Sequence, residues 1–100
     1  MLFVIHAMDK KDAINTRAKH YKAHRQHLDA SEKYGVGVIT AGPFVADDNE
    51  TPIGSLFIIE AKDRAAVKAF VESDPYHTNG VWEAGGVEIH AYHKKRGLWP

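Results

Sequence analysis

The sequence predicts an α+β domain whose elements follow in the order β-α-β-β-α-β. Three observations carry that expectation. Four short apolar, β-rich stretches recur along the chain. Two segments of helical periodicity each follow an aspartate able to cap them, Asp12 and Asp63. A residue that ends helices, Gly35 or Pro75, closes each segment.

Leu2 to Met8 reads as a strand with two apolar faces. Leu2, Val4, His6 and Met8 lie on one, and Phe3, Ile5 and Ala7 on the other. Asp9-Lys10-Lys11-Asp12 ends it, and Asp12 caps a helix from about Ala13 to Tyr34. The apolar stripe of that helix is Ile14, Ala18, Tyr21, Arg25 and Leu28. A polar line, Arg17, His20, His24, His27 and Ser31, borders it. Val36 to Phe44 is the second strand, with Gly42-Pro43 near its end. An acidic turn region runs from Val45 to Pro52, and Ile53 to Ala61 is the third strand. Asp63 caps the second helix, Arg64 to Ser73, and Asp74 to Gly80 is a turn or short helix. Val81 to Gly86 leads into the fourth strand, Val87 to Lys94, and residues from about 95 to 100 form a tail. Trp99 in that tail is expected to dock on something, the partner chain being one option.

This order is the split-βαβ, ferredoxin-like arrangement with an antiparallel sheet, here one domain over residues 1–100. Right-handed crossovers put both helices on one face of the sheet. The other face is then a large exposed apolar patch, and such patches mark interfaces. The expected assembly is a homodimer packed sheet to sheet.

The chain has 100 residues, 44% hydrophobic and 26% charged, the composition of an ordinary globular domain. Its formal net charge of zero argues against a nucleic-acid or anionic-membrane partner. It has no cysteine, which excludes disulfides, thiolate metal sites and a cysteine nucleophile. No apolar run reaches the ~20 residues of a membrane span. Met1-Leu2-Phe3-Val4-Ile5 lacks the basic start of a signal peptide, so a cytoplasmic location is expected. Gly35-Val36-Gly37 precedes a strand instead of following one, which leaves a dinucleotide phosphate loop unsupported.

Asp74 breaks the local rules. It continues the face of Phe70 and Val71, where a carboxylate needs a partner. It also follows a helix C-terminus, where the macrodipole disfavours negative charge. Two readings stand: a functional carboxylate turned inward, and a turn or capping aspartate facing water. In the split-βαβ topology the second helix ends near the first, so Asp74 can meet the line that runs from Arg17 to His24. A histidine held by a carboxylate is an oriented base suited to neutral pH.

Several pieces of the chain resemble the YCII family over nearly its whole length. They are Met1-Leu2-Phe3-Val4-Ile5-His6-Ala7 with Asp9-Lys10, Ala23-His24 with Leu28, and Ile39-Thr40-Ala41-Gly42-Pro43. Gly54-Ser55 and Asp74-Pro75-Tyr76, followed by Gly80-Val81 and Glu83, complete the set. The resemblance implies a dimeric α+β barrel of ferredoxin-like protomers and a His-Asp dyad on His24 and Asp74. One branch of the family resembles a dehydrochlorinase acting on a chlorinated, hydroxylated aromatic. This chain departs from the family where Tyr21-Lys22 stands in place of Arg-Pro, so that arginine is absent or supplied by Arg17.

The expected chemistry is proton transfer by His24, oriented by Asp74, on a small cyclic or phenolic molecule. Elimination and isomerisation both fit, and no cofactor is expected. Gly42 and Pro43 allow close approach of a ligand to backbone. Ser55 and Tyr76 offer hydrogen bonds, and Arg17 can hold an anionic oxygen. Two alternatives remain at this point. One is a non-catalytic dimeric module that binds a small ligand or serves as an accessory protein. The other is a metal site on His20, His24 and His27, although three ligands on one helix line converge poorly and no acidic motif completes them. His77, His90 and His93 read as solvated or strand-edge residues, and Lys94-Lys95-Arg96 as a solubilising run.

Overall fold

In the computed structural model, which describes residues 1–98, β1 (Leu2–Asp9) is a central strand with a neighbour on either side. It is followed by α1 (Ile14–Asp29), a 3₁₀ turn at Ser31–Tyr34, β2 (Val36–Val45) and β3 (Pro52–Ala61). Then come α2 (Arg64–Glu72), the one-turn α3 (Pro75–Thr78) and β4 (Trp82–Tyr92). The sheet order is β2-β3-β1-β4, and every pairing is antiparallel. The ferredoxin-like α+β arrangement expected from the sequence is therefore observed. Trp99 and Pro100 lie outside the described residues, as does the expectation that Trp99 docks.

One sheet face carries the core. Phe3, Ile5 and Ala7 of β1 and Phe57 and Ile59 of β3 are buried there, beneath Val67, Phe70 and Val71 of α2. Phe3 opposes Ile59, Ile5 opposes Phe57 and Ala7 opposes Ser55, so strand register builds the core in rows. Leu2, Val4, His6 and Met8 point to the other face and stay half-buried. Asp63 caps α2 through the Ala66 N–H, as its position predicts. Among the described residues, no helix is long and apolar enough to cross a membrane.

The structure corrects four expectations. Asp12 does not cap α1: it adopts φ 59°, and Ala13 precedes the helix without a side-chain cap. The first helix does not run unbroken to Tyr34. The Ala30 N–H is shared between the Gln26 and His27 carbonyls, and the chain tightens into a 3₁₀ turn that ends on Gly35 at φ 70°. Tyr34 then packs edge-on against Phe70, 5.6 Å between ring centroids. The strand expected from Val87 begins at Trp82, because Gly85-Gly86 continues the strand instead of interrupting it. A register shift between Ala7 and Asp9 lies opposite, and Gly86 approaches the Met8 carbonyl so closely that a Cβ there would sit 3.2 Å from it.

The fourth correction concerns the face of α1. Ile14 is 50% exposed and Tyr21 53%, while Arg17 and His24 are buried at 8% and 6%. The polar line faces the protein and the apolar stripe faces outward. The reason lies in the partners, since groups on β1, β3 and α2–α3 supply hydrogen bonds to the inward side chains.

Gly54, next to Ser55, sets the spacing of β1 and β3. A Cβ at this position would lie 2.6 Å from the Ala7 carbonyl oxygen and 3.0 Å from the Met8 sulfur. Gly54→Ala is expected to lower the unfolding free energy by about 1–3 kcal/mol in urea denaturation, because backbone atoms must move to admit the methyl group.

Candidate active site

The site forms where α1 packs against α3, just past the carboxyl end of α2. α2 stops at Glu72, and Asp74 takes an extended conformation, φ −65° and ψ 132°, as a residue before proline must. Its carboxylate caps α3 by accepting the Tyr76 N–H at 2.8 Å. It also turns fully inward, 1% exposed, where His24 Nδ1–H donates to both its oxygens at 2.9 Å. The capping role and the buried role, alternatives in the sequence, are held by the same residue. This bond engages Nδ1 and leaves Nε2 as the other ring nitrogen of a histidine that lines a cavity. The His24 ring stacks on Tyr76, 3.9 Å between centroids and 6° from parallel.

Two turns earlier on α1, Arg17 is held from three sides. Its Nη1 donates to both carboxylate oxygens of Asp9, at 2.9 and 3.0 Å. Its Nη2 donates to Ser55 Oγ at 3.0 Å, and its guanidinium lies 4.7 Å from the Tyr76 ring centroid. Ser55 Oγ also accepts from Trp82 Nε1–H at 3.3 Å, so it is placed to donate its own proton elsewhere. Burial pushes the Asp9 carboxyl above the ordinary aspartate value, against the lowering effect of Arg17. Burial likewise raises the Tyr76 phenol, which keeps it protonated, again opposed by Arg17.

These groups border a cleft of about 360 Å³, within the usual range for small-molecule sites. Of the sequence-expected residues, Arg17, His24, Gly42, Pro43, Ser55 and Tyr76 all line it, and Asp74 sits directly behind His24. A Cβ on Gly42 would meet no atom within 4 Å, so packing within this chain does not demand a glycine there. His27 lies apart from this group, donating through Nε2 to the Phe70 carbonyl at 2.7 Å. Among the described residues, no three His, Cys, Asp or Glu side chains gather as a metal site would require.

Sequence reasoning missed Asp9, Trp82 and Arg25. Asp9 was legible: it continues the alternation Phe3, Ile5, Ala7 onto the core face, and its side chain is 6% exposed. Trp82 lay in a segment read as a lead-in to a strand. Arg25 was placed in a core-facing stripe that instead forms the cleft wall with Ile14, Ala18, Tyr21 and Leu28.

Residues 1–89 match the model of the YCII-related domain. The protein YciI of Escherichia coli O6:H1 is 36% identical over 88 residues, covering 83% of this chain and 89% of that one. Protein YciI of Shigella flexneri matches equally. Among solved structures, the chain resembles the 5-chloro-2-hydroxyhydroquinone dehydrochlorinase TftG of Burkholderia phenoliruptrix AC1100, in complex with 2,5-dihydroxybenzoquinone. The TM-score is 0.81 at 25% identity, over 95% of this chain and 96% of that one. A structure described as an antibiotic biosynthesis monooxygenase aligns at TM-score 0.52 and 22% identity, over 94% of this chain and all of that one, a likeness of fold.

The opposed effects on Asp9 give a pH test. Arg17 lowers a carboxyl that burial raises, so Arg17→Met is expected to move the Asp9 titration to still higher pH. Carbon-13 NMR of the aspartate carboxyls reads this directly. The sign for stability follows, because a folded-state value above the unfolded one favours folding at low pH. Stability from this group therefore falls as pH rises through that window, and falls further in the variant.

Proposed function

The chain belongs to the YCII-related domain family, and from that footing we propose that it is a small-molecule enzyme whose His24-Asp74 pair moves a proton. The observation that carries this reading is the buried bond from His24 Nδ1–H to both oxygens of Asp74. It fixes the ring so that Nε2 serves as the base toward the cleft.

The reaction has a simple balance. Nε2 takes a proton from a C–H or O–H of the substrate, and the freed electron pair moves into a conjugated ring. Where a halide sits at the far end of the conjugation, it leaves with its bonding pair, which is an elimination. Without a leaving group, His24 returns the proton at another atom, which is an isomerisation. Negative charge on a substrate oxygen is met by donors from Ser55 and Tyr76, with the Arg17 charge beside them. No step in this scheme calls on a cofactor. The likeness to a dehydrochlorinase that holds a dihydroxylated quinone supports a small hydroxylated ring as substrate. The cleft volume also suits one ring of that kind.

In this reading the functional unit is a homodimer. Leu2, Val4, His6 and Met8 present a half-buried outer face on β1, flanked by Leu56 and Ile58 of β3. The helices cover only the opposite face, and a second copy laid sheet to sheet removes this patch from water. Light scattering coupled to size exclusion is expected to give about twice the 11.2 kDa chain mass at micromolar concentration. A monomer mass sinks the assembly.

The catalytic test is a panel of halogenated and hydroxylated aromatics. His24→Ala and Asp74→Asn are each expected to lower kcat/KM by about 10²–10⁴-fold on any substrate the wild type turns over. Turnover retained by both variants removes the pair from the chemistry. Ligand-induced thermal stabilisation without turnover on any compound points to a binding module instead.

A further inference from the structure

Within the apolar wall that α1 gives the cleft, Arg25 is a charge that proton transfer does not use. The wall runs Ile14, Ala18, Tyr21, Arg25 and Leu28, so a guanidinium interrupts an otherwise apolar and aromatic stripe. A residue that breaks a pattern in this way asks for a partner. Within the protein its contact is the Tyr21 ring, 5.8 Å from the guanidinium carbon. Among the described residues no carboxylate comes within 4 Å of it. Of the acids behind the cleft, Asp9 holds Arg17 and Asp74 holds His24 and the Tyr76 N–H, while Asp29, one turn further along α1, is exposed and makes no ion pair with Arg25. No aspartate or glutamate lines the cleft.

We infer that the cleft takes a compact ring-bearing organic anion, and that Arg25 at its rim reads the anionic group, a carboxylate or an acidic enol. This inference rests on the cleft being the substrate site, and it names the class of substrate. Arg17 is the lesser candidate for this role. Its Nη1 is spent on Asp9 and its Nη2 on Ser55, so its charge is balanced before any ligand arrives. Arg25 keeps its planar fork of donors available, and that geometry fits a carboxylate through two parallel hydrogen bonds. Tyr21 beneath it supplies a flat surface for the ring of the ligand. Arg25 thus acts as a specificity residue at the rim while His24 acts on the ring farther in.

Benzoate and benzamide form a matched pair of probes, alike in shape and different in charge. Calorimetry or NMR titration at low ionic strength is expected to show benzoate binding at least about tenfold tighter to the wild-type protein. The preference is expected to shrink with added salt, since the guanidinium is exposed. Arg25→Gln is expected to bring the two affinities within about threefold while leaving that of benzamide unchanged. His24→Ala is expected to keep the full preference. Equal binding of the two probes by the wild type overturns the inference. So does a preference that survives Arg25→Gln, or no benzoate binding up to about 10 mM. The outcomes separate the two proposals. A charge preference without turnover leaves the anion site standing and removes the enzyme, whereas His24-dependent turnover without the preference does the reverse.

Discussion

The structure depends on a carboxylate held where no water reaches it. Asp74 sits between α2 and α3, and its position follows from Pro75, which bars it from helical conformation. Its two oxygens take the His24 Nδ1–H, one of them also caps the Tyr76 N–H, and its own carbonyl accepts the His77 and Thr78 N–H groups. A hydrogen bond to a charged group contributes about 1.5–3 kcal/mol, and an orphaned buried donor costs a similar amount. The carboxylate and the imidazole therefore need each other. Because the same carboxylate starts α3, the orientation of the His24 ring is tied to the helix that carries Tyr76 against it.

α1 docks by an unusual means. A helix on a sheet is ordinarily seated by its apolar stripe. Here Arg17, His24 and His27 face inward, and their partners come from β1, β3, the end of α2 and the cap of α3. Buried ion pairs of this kind add little to stability once desolvation is counted, though breaking one is costly. What they add is position. Arg17 has partners on two strands and above an aromatic ring, so the helix has little freedom to slide or rotate. An apolar interface of equal area tolerates more sliding, because dispersion contacts are not directional.

That inversion explains what the sequence disclosed and what it hid. The element order and the Asp63 cap were legible because each is a local or topological rule, and the anomaly of Asp74 was visible although its direction stayed open. The face of α1 was not, because hydrophobic periodicity assumes that apolar side chains seek the core. Ile14, Tyr21 and Leu28 instead form the wall of a cleft, so the periodicity was correct and its direction was not. Arg25 was misplaced by the same assumption. Asp9 was overlooked for a different reason: a charged residue at the end of a strand reads as a turn, although the two-residue alternation carries it onto the buried face. Gly85-Gly86 read as a break because glycine signals a turn as readily as a close backbone approach, and only the partner strand decides between them.

Two apolar surfaces remain uncovered in the protomer, and their shapes give them different uses. The wall of α1 is concave against β2 and β3, and polar groups converge at its floor. A small molecule can bury most of its surface there and find donors for its oxygens. The outer sheet face is broad and carries side chains in rows two residues apart. At its centre His6 lies 4.8 Å from the Phe44 ring, and its buried Nδ1 has no hydrogen-bond partner among the described residues. Glu88 is 3.8 Å away, beyond hydrogen-bonding distance. A buried ring nitrogen left in this state is unfavourable. A second protein surface laid across the strands can bring Glu88 inward to that nitrogen while it covers Leu2, Val4 and Met8. In the proposed reading the concave face serves chemistry and the broad one assembly, and α1 is free to serve the first because its polar side already holds it to the sheet.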